Sequence, residues 1–382
     1  MLVRCLAMMR GGGETRHLEW ARELAALGVT VEIITGVPVI TGRARYPIEG
    51  VAVRTVRSPY ARDLVYRWQN RRGFGRLTMA ALHLDEEWFC RAAWRLAMSS
   101  GPPPDILHAH ALHQAARLRV GNVPVVINLP GPPNPRYTAD LQAADALVAD
   151  GWAAAHLPRT LGRAVDRLPK GVDSDRFAPD GPDRRHALRL HDKRVIVTVA
   201  RLVPIKNLRL LIDALAMVRA RVANVHLLIV GDGPEASALR QHAATLDLAD
   251  AVTYVGYVAH ADTPPFYRTG DLFALSSDFD NSPNVVLEAM ASGLPVVATD
   301  VGGVREFVAD GVGGAVVPPR DAAALAAALE TYLVSPDLAQ AAGAHNRQRA
   351  TAEFSWRTSA LRLMDVYHRV LTARQGTARA SA

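Results

Sequence analysis

The sequence predicts an α/β protein made of two doubly wound units, each with a parallel sheet covered by helices. The chain has 382 residues, a length that accommodates two domains of ordinary size. Hydrophobic residues make up 49% and charged residues 21% of the chain, an ordinary globular composition. Short apolar segments alternate with helical segments along both halves, and this alternation is typical of parallel sheets.

The first half begins with a strand, a glycine turn and an amphipathic helix. Residues 2–8 predict the strand, and Gly11 to Gly13 predict the turn. The helix predicted from Glu14 ends at Gly28, because glycine is favoured just after a helix C-terminus. Further strands are predicted over residues 29–34, 106–108, 123–127 and 146–148.

A basic and partly aromatic segment interrupts this pattern over residues 60–98. It mixes arginines such as Arg62 and Arg67 with tyrosine and tryptophan residues, among them Tyr66 and Trp88. We interpret it as helical, with solvated arginines over ordinary helix packing. Contact with an acceptor or with a membrane surface is the alternative.

The second half repeats the alternation after a segment rich in glycine, proline and aspartate. Residues 169–185 predict an interdomain linker, because they show little periodicity. A final helix is predicted over residues 358–372, followed by a frayed tail from Gly376. Strands are predicted over residues 195–199, 226–230, 252–255, 272–275, 296–298 and 315–317. The predicted domains are residues 1–168, joined by a returning final helix at 356–375, and residues 169–355.

Composition and charge exclude several classes of protein. The formal net charge of +7 suits an anionic ligand, a lipid surface or a nucleic acid, and does not choose among them. Cys5 and Cys90 cannot form a disulfide framework, and zinc-type spacing is absent from the sequence. No apolar run reaches the length of a membrane span, and residues 1–9 lack a secretory signal core. The sequence therefore predicts a soluble, cytoplasmic protein.

The strongest candidate site combines two cations with the start of a helix. Arg201 and Lys206 directly follow the strand predicted over 195–199, and ligands of doubly wound sheets bind beyond the carboxyl ends of the strands. Ser282 is predicted to cap a helix that has Pro283 at its first position. Because the N–H groups of this helix start face the same edge of the sheet, we expect an anion such as a diphosphate to bind there.

A longer pattern surrounds these residues. Arg201 and Lys206 are followed by DNSPNVVLEAMA over residues 280–291, in which Glu288 lies in the second helical turn. Supporting motifs are GVDSDRF at 171–177, VGDGP at 230–234, VGYV at 255–258 and GG at 302–303. Together they resemble the retaining GT-B glycosyltransferases of family four, the group 1 glycosyltransferases, over nearly the whole second half. The first half matches more thinly, through Gly11 to Gly13 and DILHAH at 105–110.

The resemblance implies the GT-B fold, in which two Rossmann-like domains face each other across a cleft. An N-terminal acceptor domain and a C-terminal nucleotide-sugar domain would form a hexosyltransferase-type enzyme of carbohydrate biosynthesis. It would move a sugar from a UDP- or GDP-type donor to an acceptor hydroxyl with retention, without an obligatory cofactor. The acceptor stays open among a glycan, a lipid-linked molecule and a small molecule, as does peripheral membrane contact.

The resemblance also implies roles for individual residues. Arg201 and Lys206 would neutralise the leaving diphosphate, and Glu288 would hold the ribose. His110 would lie near the anomeric centre, on the N-terminal side of the cleft. Backbone at Tyr257 and Val258 would contact the base. The other implied donor-binding residues are Gly12, Gly13, Asn281, Ser282, Pro283, Asn284 and Val285.

Asp280 departs from the family pattern, which usually has a glutamate eight residues before Glu288. The resemblance implies contact with hydroxyls of the transferred sugar, and the shorter aspartate predicts a differently seated sugar. Asp278 and Asp280 also form a D-x-D tripeptide, the metal motif of a different glycosyltransferase fold. Such short matches often arise by chance, so the sequence predicts no metal site.

Other interpretations stay open at this point. Gly11 to Gly13 allow a dinucleotide site, although Arg16 stands where a third glycine is required. His108, His110 and His113 allow a metal site, but no carboxylate or thiol nearby completes the set. A sugar-nucleotide epimerase or hydrolase is the alternative enzyme, and it requires further carboxylates. A nucleic-acid or other binding protein ranks lowest, because the basic residues are dispersed.

Overall fold

The chain divides into two compact units. In the computed structural model, the structure describes residues 1–8, 12–39, 41–44, 48–59, 75–99 and 101–380. Unit 1 comprises Met1–Pro169 and Trp356–Ala382, and unit 2 comprises Lys170–Ser355. Gly11 and residues 60–74, which include Arg62, Tyr66 and Arg67 of the predicted basic segment, lie outside the described residues.

Unit 1 is an α/β unit with parallel strands. Its elements before residue 169 are α1 (Gly12–Ala26), β1 (Glu32–Pro38), β2 (Ala52–Ser58), α2 (Gly75–Ser99), β3 (Leu107–His110), β4 (Val125–Leu129), α3 (Thr138–Gln142), β5 (Ala146–Ala149), α4 (Gly151–Leu161) and β6 (Asp166–Arg167). The strands pair in the orders β1-β2 and β3-β4-β5-β6, all parallel. Leu2 bridges Ile34 of β1 and Ala109 of β3, so one residue joins the two sheets.

Unit 2 contains a six-stranded parallel sheet. Its elements are α5 (Arg185–Leu188), β7 (Arg194–Val199), α6 (Leu208–Arg219), β8 (Val225–Val230), α7 (Ala236–Thr245), β9 (Val252–Gly256), α8 (Pro264–Tyr267), β10 (Leu272–Leu275), α9 (Asn284–Ala291), β11 (Val296–Thr299), α10 (Val304–Phe307), β12 (Gly314–Val317), α11 (Ala322–Val334) and α12 (Pro336–Glu353). The strand order is β12-β11-β10-β7-β8-β9. The order reverses between β7 and β10, as in a Rossmann fold, so the ligand crevice of such a sheet lies beyond these two strands.

The final helix, α13 (Trp356–Ala380), belongs to unit 1. Its buried face includes Leu363 and packs with Trp20 of α1 in one hydrophobic cluster. The Trp20 indole N–H donates to the Ser359 hydroxyl at 2.8 Å. Trp20 is fully buried, so without this hydrogen bond its indole N–H would lack a partner and would destabilise the fold. The helix continues through Gly376 to Ala380, so the frayed tail expected from Gly376 is wrong over the described residues.

Two other local predictions are also wrong. Residues 4–8 form turns instead of extending the predicted first strand, and Leu2 alone makes bridge contacts. The predicted linker over 169–185 is largely part of unit 2: Val172 and Phe177 are buried in its core, and the Val172 N–H donates to the Phe354 carbonyl. Gly/Pro-rich sequence lacks periodicity whether it is exposed or packed, which explains the error.

In the described part of the chain, no helix is long and apolar enough to cross a membrane.

Candidate functional site

Arg201 and Lys206 follow β7, as the sequence predicts, and their loop is tied to the loop after β10. The Ser276 hydroxyl donates to the Lys206 carbonyl at 3.1 Å, and the Asp278 N–H donates to the Ile205 carbonyl at 2.9 Å. These two loops follow β7 and β10, the strands between which the strand order reverses (the switch point of the sheet). The hydrogen bonds therefore hold the two loops against each other. Arg201 is exposed and forms no side-chain hydrogen bond or ion pair within the described residues.

Asp280 contacts Lys206 directly. The Lys206 ammonium donates to Asp280 Oδ2 at 2.5 Å, and each of the two side chains is 17% exposed. The backbone of Asp280 is fixed from the other side by Gly302, where an added Cβ would lie 1.6 Å from the Asp280 carbonyl oxygen. Gly302 also has a φ of +55°. A residue with a side chain would therefore displace the Asp280 loop.

Asp278 is occupied by structural partners. Asn207, which caps α6, donates from its side chain to Asp278 Oδ1 at 2.9 Å, and Arg320 contacts Oδ2 at 3.0 Å. Burial alone would raise the pKa of Asp278, but hydrogen bonds from Arg320 and Asn207 outweigh it and lower the pKa. The described residues contain no cluster of three or more candidate metal ligands, including around the D-x-D tripeptide.

Helix α9 begins later than the sequence predicts. Pro283 is the N-cap residue, in an extended conformation, and Asn284 is the first helical residue. The predicted cap by Ser282 is wrong: its hydroxyl is buried without a hydrogen-bond partner among the described residues, as is Asn284 Oδ1. Lys170 instead donates to the Ser282 carbonyl. The first N–H groups of α9 thus receive no side-chain cap and remain suited to an anion.

Glu288 is a buried carboxylate with two donors that the sequence reasoning missed. The Tyr267 hydroxyl donates to Oε2 at 2.6 Å, and His260 Nε2 donates to Oε1 at 2.9 Å. Burial and the neighbouring carboxylate raise the pKa of Tyr267 well above its ordinary value. Tyr267 lies 21 residues before Glu288, and no local motif signals the pairing.

The remaining predicted donor-binding residues of unit 2 lie on loops or at helix starts. Tyr257 follows β9 and is 74% exposed, whereas Val258 is half-buried against the core. Asn281 lies between Asp280 and Ser282, and Val285 is the second residue of α9. Unit 2 thus brings Lys206 and Asp280 into contact and places Glu288 with partners of its own.

The candidate residues of unit 1 form a separate group at the carboxyl end of β3. His110 is 9% exposed, and its Nδ1 lies 3.0 Å from Asn128 Oδ1. The Asn128 amide nitrogen donates to the Val148 carbonyl, so its oxygen faces His110 and accepts a hydrogen bond from the Nδ1–H group. Gly13, which with Gly12 begins α1, faces the other side of the ring: a Cβ there would lie 2.4 Å from His110 Nε2.

Buried polar groups surround His110. The ring of His17 lies 4.4 Å from that of His110 and 5.1 Å from that of His108. Burial is the main cause that lowers the pKa of both His17 and His108 well below the ordinary value, so both are neutral near pH 7. His108 Nδ1 contacts the Tyr367 hydroxyl at 2.7 Å. His113, 3.6 Å from Glu86, completes no metal cluster with these histidines in the described residues.

Comparisons with known proteins agree with this architecture. The family model described as "Glycosyl transferases group 1" matches residues 193–335. A GDP-mannose-dependent alpha-(1-6)-phosphatidylinositol monomannoside mannosyltransferase from Mycolicibacterium smegmatis is 38% identical over 56% of this chain and 58% of its own length. The chain thus spans little more than half of that relative. A D-inositol 3-phosphate glycosyltransferase from Salinispora tropica is 31% identical over 94% of this chain and 80% of its own length.

The fold is also found in solved structures. The structure of sucrose-phosphate synthase from Thermosynechococcus elongatus superposes with a TM-score of 0.77 and covers 97% of this chain and 98% of its own. At 22% identity this likeness bears on the fold, which is GT-B. The sequence-based identification of family and fold is therefore confirmed. The Salinispora relative aligns over 94% of this chain and the family model matches within it, so the chain belongs to the group 1 glycosyl transferases.

Proposed function

We propose that this protein transfers a sugar from a nucleoside-diphosphate sugar to an acceptor hydroxyl, with retention of the anomeric configuration. The observation that carries the proposal is the set of charged groups at the switch point of the unit 2 sheet. Arg201 and Lys206 follow β7, and the uncapped start of α9 follows β10. These are the two loops at which doubly wound sheets bind their ligands.

The diphosphate is the part of the donor that these groups suit best. An ammonium has three N–H donors, and Asp280 uses one of those on Lys206, which leaves two for phosphate oxygens. Arg201 adds an exposed guanidinium, and the first N–H groups of α9 add partial positive charge. Because negative charge grows on the diphosphate as it leaves, these groups stabilise the transition state more than the bound donor.

Retention places the departing phosphate oxygen on the same face of the sugar as the incoming hydroxyl. We therefore assign that oxygen the role of accepting the proton of the acceptor. Asp280 holds Lys206 in place, and we assign Asp280 a contact with the transferred sugar. Since two cations and a helix N-terminus already compensate the diphosphate, the proposed mechanism uses no obligatory metal.

The donor that we propose is of the UDP or GDP type. The name of the Mycolicibacterium relative specifies GDP-mannose, so GDP-mannose is the first donor to test. The names of the two relatives specify phosphatidylinositol monomannoside and D-inositol 3-phosphate, so the proposed acceptors include lipid-linked and small molecules as well as glycans. Peripheral contact with a membrane is part of the lipid-linked alternative.

The test is to measure consumption of GDP-mannose and UDP-glucose with and without these acceptors. We expect release of the nucleoside diphosphate that depends on an acceptor, and a product with the anomeric configuration of the donor by NMR. Release without any acceptor would instead indicate a hydrolase, and conversion with the nucleotide sugar conserved would indicate an epimerase. Absence of donor binding by calorimetry would contradict the proposal altogether.

Treatment with a chelator tests the role of the cations. We expect activity to survive EDTA, because Arg201, Lys206 and the start of α9 compensate the phosphates. Turnover measured before and after chelation gives the result. Loss of turnover that manganese or magnesium restores would instead support a metal at Asp278 and Asp280.

A further inference from the structure

Glu288 is a buried charge that the protein has already provided with partners. Its side chain is 8% exposed, and each carboxylate oxygen accepts one hydrogen bond, from Tyr267 or from His260. A buried carboxylate without such partners would be strongly destabilising. Each oxygen can accept more than one hydrogen bond, so the carboxylate retains capacity for a ligand.

The two partners of Glu288 differ in their surroundings. Tyr267 is fully buried, and its ring lies 5.6 Å from that of Phe177 and 5.9 Å from that of Phe273. Aromatic packing therefore fixes its hydroxyl. With its pKa raised, Tyr267 keeps its proton and donates to Glu288 at any physiological pH.

His260 approaches Glu288 from the solvent side. Its side chain is 49% exposed, and it lies in the short turn His260–Asp262 between β9 and α8. A donor at Oε1 is therefore within reach of solvent, whereas the donor at Oε2 is enclosed. A hydroxyl that replaced the His260 N–H at Oε1 would leave the carboxylate with the same number of hydrogen bonds.

We propose that Tyr267 is a positioning residue that orients Glu288 for the ribose hydroxyls of the donor, and that His260 is the partner which the ribose displaces. This inference rests on the proposed function, because the ribose belongs to the nucleoside-diphosphate sugar, and on the ribose contact that the resemblance implies for Glu288. The inference goes beyond the proposed function because it names Tyr267 and Glu288's second partner, His260, and gives each residue a different role in the ribose site.

The proposal is tested by binding, without turnover. Calorimetry with GDP and UDP, each compared with its 2′-deoxy and 3′-deoxy analogues, gives a ratio of dissociation constants for each variant. This ratio isolates the contribution of the ribose hydroxyls, because the phosphates and the base are common to all ligands. The variant is Tyr267→Phe, which removes the hydroxyl and keeps the ring. The matched control is Tyr254→Phe, since the Tyr254 hydroxyl has no partner among the described residues.

We expect the wild-type protein to bind at least one deoxy analogue about tenfold or more weakly, the usual effect of losing a hydrogen bond to a charged group. Tyr267→Phe should reduce this ratio to about twofold or less, while Tyr254→Phe keeps it. An unchanged ratio in Tyr267→Phe would overturn the positioning role and leave the proposed function intact. Wild-type protein that binds no nucleoside diphosphate would contradict the proposed function itself.

His260→Ala tests the displaced partner. The His260 side chain is 49% exposed, and its ring lies 5.5 Å from that of the buried Phe177, so thermal unfolding of the variant is measured alongside binding. We expect the variant to keep the discrimination against deoxy analogues and to bind the nucleoside diphosphate as tightly as the wild type or more tightly. Loss of discrimination in His260→Ala would overturn this part of the proposal, because it would show that His260 stays in place and helps to bind the ribose.

Discussion

The two units share a parallel α/β architecture, yet their candidate residues use opposite electrostatics. Unit 2 presents Arg201 and Lys206 on loops, partly exposed and charged. Unit 1 buries His17 and His108 in neutral form beside His110, with an enclosed ion pair between Arg16 and Asp150 nearby. The comparison teaches that one unit is suited to binding an anion and the other to holding neutral imidazoles in a fixed arrangement.

The largest effect should come from the cations of unit 2. We expect Arg201→Ala and Lys206→Ala each to raise the activation barrier by about 2–4 kcal/mol, the usual cost of removing a preorganised group that stabilises developing charge. Values of kcat/KM for the proposed transfer give the measurement. Arg209→Ala, on the exposed face of α6, is the matched control and should leave kcat/KM unchanged. Near-wild-type kinetics in both site variants would remove the basis of the comparison.

Gly13→Ala should give the next largest effect, through geometry instead of charge. The added Cβ would lie 2.4 Å from His110 Nε2, so the ring or the start of α1 must shift. A displacement of about 1 Å at a reacting group costs roughly 100-fold in rate. We expect that loss in kcat together with a lower thermal midpoint, because an atom added to a packed site costs about 1–3 kcal/mol of stability. Gly376→Ala, where nothing lies within 4 Å, is the control. Full activity in Gly13→Ala would show that His110 needs no fixed position.

The sequence was most informative where a site depends on neighbouring residues. The strands of unit 2 were predicted to within one residue at either end, because buried parallel strands are continuous apolar runs bounded by turn residues. Arg201 and Lys206 were placed after β7 for the same reason. The contact of Lys206 with Asp280 depends on strand order, which places β10 beside β7 although β8 and β9 intervene in sequence.

Residues that act through strand register or packing left no signal in the sequence. Asn128 meets His110 because β3 and β4 pair with these two residues opposite each other. Tyr267 reads as an ordinary apolar position, and His260 as part of a loop. Ser282 fits the pattern of a helix cap, but the chain stays extended through Pro283 and the helix begins one residue later. These partners lie far apart along the chain, so no local pattern in the sequence indicates them.

The buried histidines of unit 1 predict a dependence of stability on pH. Because the pKa values of His17 and His108 are lowered by folding, the unfolded chain binds more protons below about pH 6.5. The free energy of unfolding should therefore fall as the pH drops below that value, by up to about 1.4 kcal/mol per pH unit for each histidine. Denaturant unfolding between pH 7 and pH 5 measures the slope. His17→Gln and His108→Gln should each reduce it, and equal slopes in all three proteins would show that these histidines do not cause the acid sensitivity.

Substitutions of Asp280 should have the smallest effect on activity, but they distinguish best between two roles. Asp280 belongs to the charged unit and departs from the family pattern. The Lys206 contact gives its carboxylate a structural role, and the resemblance gives it a role in holding the transferred sugar. Binding of the bare nucleoside diphosphate separates the two roles from each other.

If Asp280 contacts the sugar, Asp280→Asn should weaken binding of the full donor by about tenfold, because a site built for a hydroxyl discriminates against a mismatch. Binding of the bare diphosphate should stay within about twofold, since asparagine still offers an oxygen to Lys206. Asp280→Glu should change the relative rates for donors that differ at their sugar hydroxyls, because the longer side chain moves the carboxylate. Titration of each variant with both ligands measures the difference. Equal losses of affinity for the diphosphate and for the full donor would show that Asp280 only supports Lys206. Unit 2 would then bind the anion, and Asp280 would make no contact with the transferred sugar.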